Sequence, residues 1–292
     1  GIATQKSFKI DSGTGTITMH GGSVTGHGFE FAYGVDADYV ITSASTSSTA
    51  IFIDGATTVS GYTGGIFALR GGSYLIQSTA LTGGGIQING TNYASSGNAV
   101  YFTGSGGVTA YLLSRNGAIT INATGGSNGI GSERGLVLGS HSGVTVNGVA
   151  SGVSSSNANI TLTANTSFFG TTTSVLTNGS LSILSQGASF TSAQTLSNWT
   201  FASGLSGFTF GKVGNTSDLN INSTLSVDGP ISFNGGAISL VNSLTTTNTT
   251  TGNISFVTTG LTGSGNMTLA NGRSLSVTQS GTSNYAGIID GT

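Results

Sequence analysis

Acidic side chains are the groups in this sequence best suited to chemistry. Four of the nine lie in one stretch near the start of the chain: Glu30, Asp36, Asp38 and Asp54. Enzymes that hydrolyse glycosidic bonds place two carboxyl groups around the bond that is cleaved. If these side chains met on adjacent turns of the chain, residues 30–54 would form a carbohydrate-active or carbohydrate-binding site. We keep this as the alternative to a non-enzymatic function, because residues 134–217 contain no acidic residue at all.

The densest acidic cluster, Asp36 and Asp38, is also the best candidate for a metal site. Calcium takes about six to eight oxygen ligands, and two aspartates supply too few. The sequence therefore favours a solvated turn, with Asp36 and Asp38 as weak metal candidates, and we predict neither a metal nor a cofactor.

The remaining motifs do not build a catalytic or cofactor site. His20 and His141 have no further ligand at metal-binding spacing, and His27 is only loosely near Glu30. His141 lies between two serines but has no carboxylate nearby to orient it. Residues 129–135 (GIGSERG) superficially resemble a dinucleotide-binding loop, but a strand-like segment follows where that motif needs a helix. We therefore predict no catalytic and no cofactor-binding residues.

The composition limits both the partners and the compartment. The 292 residues include 50 Gly, one Pro and no Cys, only 5% are charged, and the net charge is −2. Without a basic surface, nucleic acid is not expected as a partner. The lack of cysteine fits a secreted bacterial protein that crosses the envelope unfolded. No apolar run reaches the roughly 18 residues that span a bilayer.

Short segments with alternating apolar and Ser/Thr residues recur along the whole chain, separated by Gly, Asn and Ser, whereas helical periodicity is nearly absent. Spacings between first apolar residues of matching units are 25 (Ile119 to Val144), 21 (Ile160 to Leu181), 23 (Ile231 to Ile254) and 21 (Ile254 to Leu275). A period of 21–25 residues with several short strands is typical of one coil of a parallel β-helix, that is, a β-solenoid. At that period the chain would form roughly 12–13 coils, about 60 Å long.

We expect the chain to be one solenoid unit over residues 1–292, and an excerpt of a longer protein. Residues 1–155 predict less regular coils with longer turns, and residues 156–292 predict more regular coils rich in Asn and Thr. No Pro-rich or charged linker separates the two parts.

Several repeats resemble those of a known group of bacterial proteins. Residues 252–256 (GNISF) and 263–269 (GSGNMTL) resemble repeats of filamentous-haemagglutinin-like exoproteins, which are secreted by two-partner secretion. Residues 274–277 (SLSV), 283–287 (SNYAG) and 117–126 (GAITINATGG) resemble the strand repeats of autotransporter passengers. The resemblance implies a right-handed parallel β-helix displayed outside the cell.

These observations together predict a non-enzymatic protein that is secreted or displayed on the bacterial cell surface. It would act as an adhesin, a stalk or a self-associating extracellular fibre. The expected partners are further copies of the chain, joined end to end, and glycans of a host or another surface. An exposed end coil would favour end-to-end pairing, because its backbone N–H and C=O groups lack partners.

Overall fold

The computed structural model describes residues 7–24, 26–31, 38–58, 66–68, 72–94, 97–102, 109–125, 128–132, 135–165 and 172–291. Every regular element in these ranges is a β-strand, and none is an α-helix. The same residues accordingly contain no helix long and apolar enough to cross a membrane. The all-β class predicted from the alternating pattern is confirmed.

The strands are short, from two to seven residues, and most begin at an apolar residue. The first thirteen are β1 (Phe8–Asp11), β2 (Ile17–Ser23), β3 (Phe29–Phe31), β4 (Tyr39–Ser43), β5 (Ile51–Thr57), β6 (Ile66–Ala68), β7 (Tyr74–Ser78), β8 (Ile86–Asn92), β9 (Asn98–Phe102), β10 (Thr109–Ser114), β11 (Ile119–Gly125), β12 (Asn128–Ser132) and β13 (Gly135–Gly139). Then come β14 (Thr145–Val146), β15 (Val149–Ala150), β16 (Ile160–Thr163), β17 (Thr173–Leu176), β18 (Ser180–Leu184), β19 (Gln194–Leu196), β20 (Trp199–Phe201), β21 (Gly207–Phe210) and β22 (Leu219–Ile221). The last are β23 (Leu225–Val227), β24 (Ile231–Asn234), β25 (Ala237–Leu240), β26 (Leu244–Thr246), β27 (Ile254–Thr258), β28 (Gly260–Gly263), β29 (Met267–Leu269), β30 (Leu275–Gln279), β31 (Asn284–Tyr285) and β32 (Ile289–Gly291).

The strands stack in parallel, each on its counterpart in the next coil. The longest stack is a ten-stranded sheet in the order β2-β5-β8-β11-β16-β18-β21-β24-β27-β30, and beside it lies a seven-stranded sheet, β1-β4-β7-β10-β13-β17-β20. Chain order is kept in both, so the backbone advances by one coil at each step. Sheets that rise in this way are consistent with the predicted β-solenoid.

The ten-stranded sheet carries the core on its inward face. Its first inward column consists of aligned apolar residues: Ile17, Ile51, Ile86, Ile119, Ile160, Leu181, Phe208, Ile231, Ile254 and Leu275. A second column ends in a row of phenylalanines, in which the rings of Phe233 and Phe256 stack with centroids 5.2 Å apart. Each fully buried large side chain stabilises the fold by about 1.5–3 kcal/mol, so repetition along the stack supplies the stability.

The coil length differs from the prediction in the first half of the chain. Ile17 pairs with Ile51, Ile51 with Ile86 and Ile86 with Ile119, so these coils take 34, 35 and 33 residues. They are longer because β5, β8 and β11 have seven residues each and a third sheet, β3-β6-β9-β12, completes each coil. The longest sheet therefore holds ten strands, and the prediction of 12–13 coils was wrong.

The predicted period is confirmed in the second half. Ile160 pairs with Leu181, Ile231 with Ile254 and Ile254 with Leu275, at spacings of 21, 23 and 21 residues. Here two other sheets, β19-β22-β25-β28-β31 and β23-β26-β29-β32, complete the coils. Both parts of the chain contribute strands to the ten-stranded sheet, and the assignment of residues 1–292 to one domain stays a prediction.

Small residues allow the third sheet to approach the ten-stranded sheet. Gly21, Gly55, Gly90 and Ala123 are aligned in one column. A Cβ at Gly90 would lie 2.2 Å from the carbonyl oxygen of Ala99, so only glycine fits there. The column thus sets the width of the first coils.

Buried hydroxyl groups satisfy the backbone where the chain turns between sheets. Ser114 Oγ donates to the carbonyl oxygens of Gly117 (2.7 Å) and Gly84 (3.1 Å), the second of which lies one coil away. Thr246 Oγ1 plays the same part in the second half, donating to the carbonyl oxygen of Gly252 at 2.6 Å. Because a buried carbonyl without a partner is costly, these residues make sharp turns possible in a chain with few charges.

Candidate functional site

The acidic residues singled out from the sequence are distributed over different sheets. Glu30 lies in β3 of the third sheet, Asp54 in β5 of the ten-stranded sheet, and Asp38 directly before β4 of the seven-stranded sheet. Asp36 lies outside the described residues. Within the described part, the structure therefore brings none of these three carboxylates onto the same sheet as another.

Asp38 serves as a structural anchor. Its Oδ1 accepts a hydrogen bond from the backbone N–H of Ser73 at 2.9 Å, and its Oδ2 accepts one from the N–H of Asn147 at 3.3 Å. Both oxygens of this metal candidate are thus engaged by backbone amides. The described residues hold no group of three or more His, Cys, Asp or Glu side chains that could bind a metal ion.

Glu30 and Asp54 have different surroundings. Glu30 is half-buried, and this burial raises the pKa of its carboxyl group. Asp54 is 39% exposed and its Oδ2 lies 3.5 Å from Nδ1 of His20, a residue directly opposite it in the neighbouring strand. An isolated carboxyl of raised pKa is half of an acid–base pair, and the structure places Asp54 with a histidine on another sheet.

His141 belongs to an element that the sequence analysis missed. Residues 144–146 were predicted to form a coil strand, and this was wrong: β14 and β15 pair antiparallel as a hairpin. Its turn residues, Asn147 and Gly148, have φ angles of 47° and 72°. Asn-Gly at two positive-φ positions is the sequence signal of a type I′ turn, and it could have identified the hairpin. The strand predicted at residues 136–138 is present in β13.

The hairpin covers the outward face of the seven-stranded sheet. Val146 and Val153 are buried there in a second apolar cluster, against side chains from four successive strands of that sheet. These side chains are Val40, Leu75, Leu113 and Val137. Apolar residues at outward positions explain why the cover is needed, since exposed they would form a hydrophobic stripe.

Hydrogen bonds fix the hairpin segment, residues 140–157, to several coils. Gln77 Oε1 accepts from the N–H of Gly152 at 2.8 Å, and Arg115 Nη2 donates to the carbonyl oxygen of the same residue at 2.9 Å. Together with Asp38, these contacts join the segment to the coils that contain β4, β7 and β10. A groove of about 550 Å³ runs beside it, lined mainly by serines and by His141.

A second surface, which we call the polar row, lies on the outward face of the ten-stranded sheet. It consists of six side chains in two adjacent columns on β2, β5, β8 and β11. One column contains His20, Asp54, Asn89 and Asn122, and the other contains Phe52 and Gln87. It is the one place where a predicted site residue, Asp54, joins several other polar side chains.

No family model matches the chain, and no curated protein or solved structure shows significant similarity to it. The resemblance to filamentous-haemagglutinin-like exoproteins therefore stays an interpretation of the repeats near residues 252–256 and 263–269.

Proposed function

We propose that the chain is a right-handed parallel β-helix that acts outside the bacterial cell as a non-enzymatic rod, in an adhesin, a stalk or a self-associating fibre. The observation that carries this proposal is the uninterrupted parallel pairing of ten strands from β2 to β30. Ten stacked strands at about 4.8 Å give a rod of roughly 43 Å between the first and last strand.

The low charge of the chain supports a mechanical function. Identical side chains of adjacent coils lie close together, and like charges there would repel. Outward positions of the ten-stranded sheet instead carry neutral hydroxyl groups in the second half, including Ser182, Thr209, Ser232 and Ser255. Such a surface is compatible with an extended rod that need not titrate in changing surroundings.

The far edge of the last coil supports self-association. Val277, Ile288 and Ile289 there are 39%, 66% and 52% exposed. At the other end, an apolar cavity of about 540 Å³ is lined by Phe8, Ile10 and Met19 among others. One end could cover the other if copies stacked head to tail.

Display of the chain on a non-adherent bacterium tests the adhesive function. We expect more cells to be retained on a glycan-coated surface under flow than cells carrying the same anchor without the chain. Electron microscopy of the purified chain at rising concentration tests the fibre. Equal retention of both kinds of cell, together with monodisperse monomers at every concentration, would refute the proposal.

A further inference from the structure

The polar row has hydrogen-bonding atoms that its internal contacts leave over. Asn89 Oδ1 accepts from Gln87 Nε2 at 3.2 Å and from Asn122 Nδ2 at 2.9 Å. Within the described structure, Asn89 Nδ2, Gln87 Oε1 and Asn122 Oδ1 make no hydrogen bond. The row therefore offers solvent one donor flanked by two acceptors, held in place by the bonds among the three amides.

An aromatic ring and a histidine extend the row toward the first coil. His20 packs its ring against Phe52 with centroids 5.4 Å apart and an interplanar angle of 63°. The side chain of His20 is 63% exposed, and its Nδ1 is held near Asp54. Phe52 is half-buried at an outward position, where most of the sheet carries hydroxyl groups. An apolar ring next to fixed polar groups is a common arrangement in ligand recognition.

We propose that the polar row binds an extended, neutral polysaccharide that lies along the stack. This deepens, and rests on, the adhesive function proposed above. Sugar hydroxyls both donate and accept, which matches the alternating atoms left over on Asn89, Gln87 and Asn122. The less polar face of a sugar ring would pack on Phe52. A polymer running along the row meets a new strand every ~4.8 Å, so several sugar units contact equivalent positions.

Charge favours a neutral polymer over an acidic one. None of the seven Lys and Arg residues lies in β2, β5, β8 or β11, and Asp54 adds a negative charge to the row. An anionic polysaccharide would meet no cation there and would be repelled by the carboxylate.

Affinity electrophoresis tests the proposal directly. The full chain would be run in native gels containing xylan, mixed-linkage β-glucan or galactomannan, with polygalacturonate as the acidic comparison. Asn89→Ala and Phe52→Ala remove the central amide and the ring, and Ser232→Ala changes an outward residue of the same sheet far from the row. Circular dichroism melting establishes that each variant is folded.

We expect retardation in at least one neutral gel, unchanged when the salt concentration is raised. Asn89→Ala and Phe52→Ala should each weaken it by about tenfold, the effect of roughly one lost hydrogen bond or ring contact of 1.4 kcal/mol. Ser232→Ala should leave it unchanged. No retardation in any neutral gel, equal retardation of all variants, or retardation by polygalacturonate alone would overturn the proposal. A rod shape by small-angle X-ray scattering, measured on the same sample, separates failure of this site from failure of the rod.

Discussion

Backbone conformation at single residues decides where this chain leaves the regular stack. Gly148 has a φ of 72°, and a Cβ there would touch nothing within 4 Å. Any loss on substitution would therefore come from backbone strain alone.

Gly148→Ala should destabilise the protein by about 1–2 kcal/mol, because an L-residue with positive φ pays that cost. Gly22→Ala is the matched control, since Gly22 also has open space around it but no positive φ. Urea unfolding of both variants gives the comparison. Equal stability of the two would show that the turn is not held in this conformation.

The half-buried carboxyl of Glu30 should make stability depend on pH. Its folded-state pKa is raised by burial, so the folded state binds its proton more tightly than the unfolded state. Stability should fall as pH rises through the unfolded value of about 4.3 toward the raised folded pKa.

Glu30→Gln should remove this part of the pH dependence and be more stable than the wild type at neutral pH. At lower pH than either pKa, the two proteins should converge. Urea unfolding between acidic and neutral pH measures the difference, and parallel curves for both proteins would contradict this assignment.

At the scale of the element, the hairpin is held by its buried valines. Val146→Ala removes two buried methyl groups and should cost about 2 kcal/mol, at ~0.8 kcal/mol per group plus a cavity term. Val213→Ala changes a valine that is 84% exposed and should lie within about 0.5 kcal/mol of the wild type. A similar loss for both, measured by urea unfolding, would mean that the hairpin does not contribute to stability.

Coils of the second half should be removable as units. Deleting residues 231–253 takes out β24, β25 and β26, one strand from each of three sheets, and places Ile254 against Phe208. We expect a folded protein, with a melting temperature within a few degrees of the original, because a solenoid's stability is a sum over neighbouring coils.

Deleting residues 231–242 is the control for that experiment, since it removes half a coil and breaks the register. It should expose apolar surface and bind a hydrophobic dye. If both deletions behaved alike, the coil boundaries drawn here would be incorrect.

Strands could be predicted from the sequence better than their partners. Alternation at Ile86 and at Ile119 identified two strands with buried apolar residues, but nothing local showed that they pair across 33 residues. Partner choice in a parallel stack depends on contacts between coils and on the length of the turns. The hairpin was missed because Val144 and Val146 alternate as a coil strand does, and the Asn147-Gly148 turn was given no weight.

The candidate site was only partly accessible from sequence for the same reason. Asp54 was identified as a chemical residue, whereas His20, Asn89 and Asn122 become its neighbours through the parallel register alone. Asp38 was singled out for its charge, and its two hydrogen bonds to backbone amides reflect the position of a hairpin more than a hundred residues later.

At the scale of the whole molecule, the ten-stranded sheet is the feature on which the proposed rod depends. It joins strands before and after residue 155, so it also connects the two parts that differ in coil length. Because the chain has no cysteine, pairs of spin labels can be introduced at chosen outward positions without other changes.

The most direct test compares two such pairs by pulsed electron paramagnetic resonance. Thr120 lies four strands from Ser232 and six strands from Ser276 in one outward column. Labels at Thr120 and Ser232 should be about 19 Å apart, and labels at Thr120 and Ser276 about 29 Å, because each strand adds ~4.8 Å. Two equal distances, or a shorter distance for the pair that is farther apart in the sheet, would contradict a continuous stack.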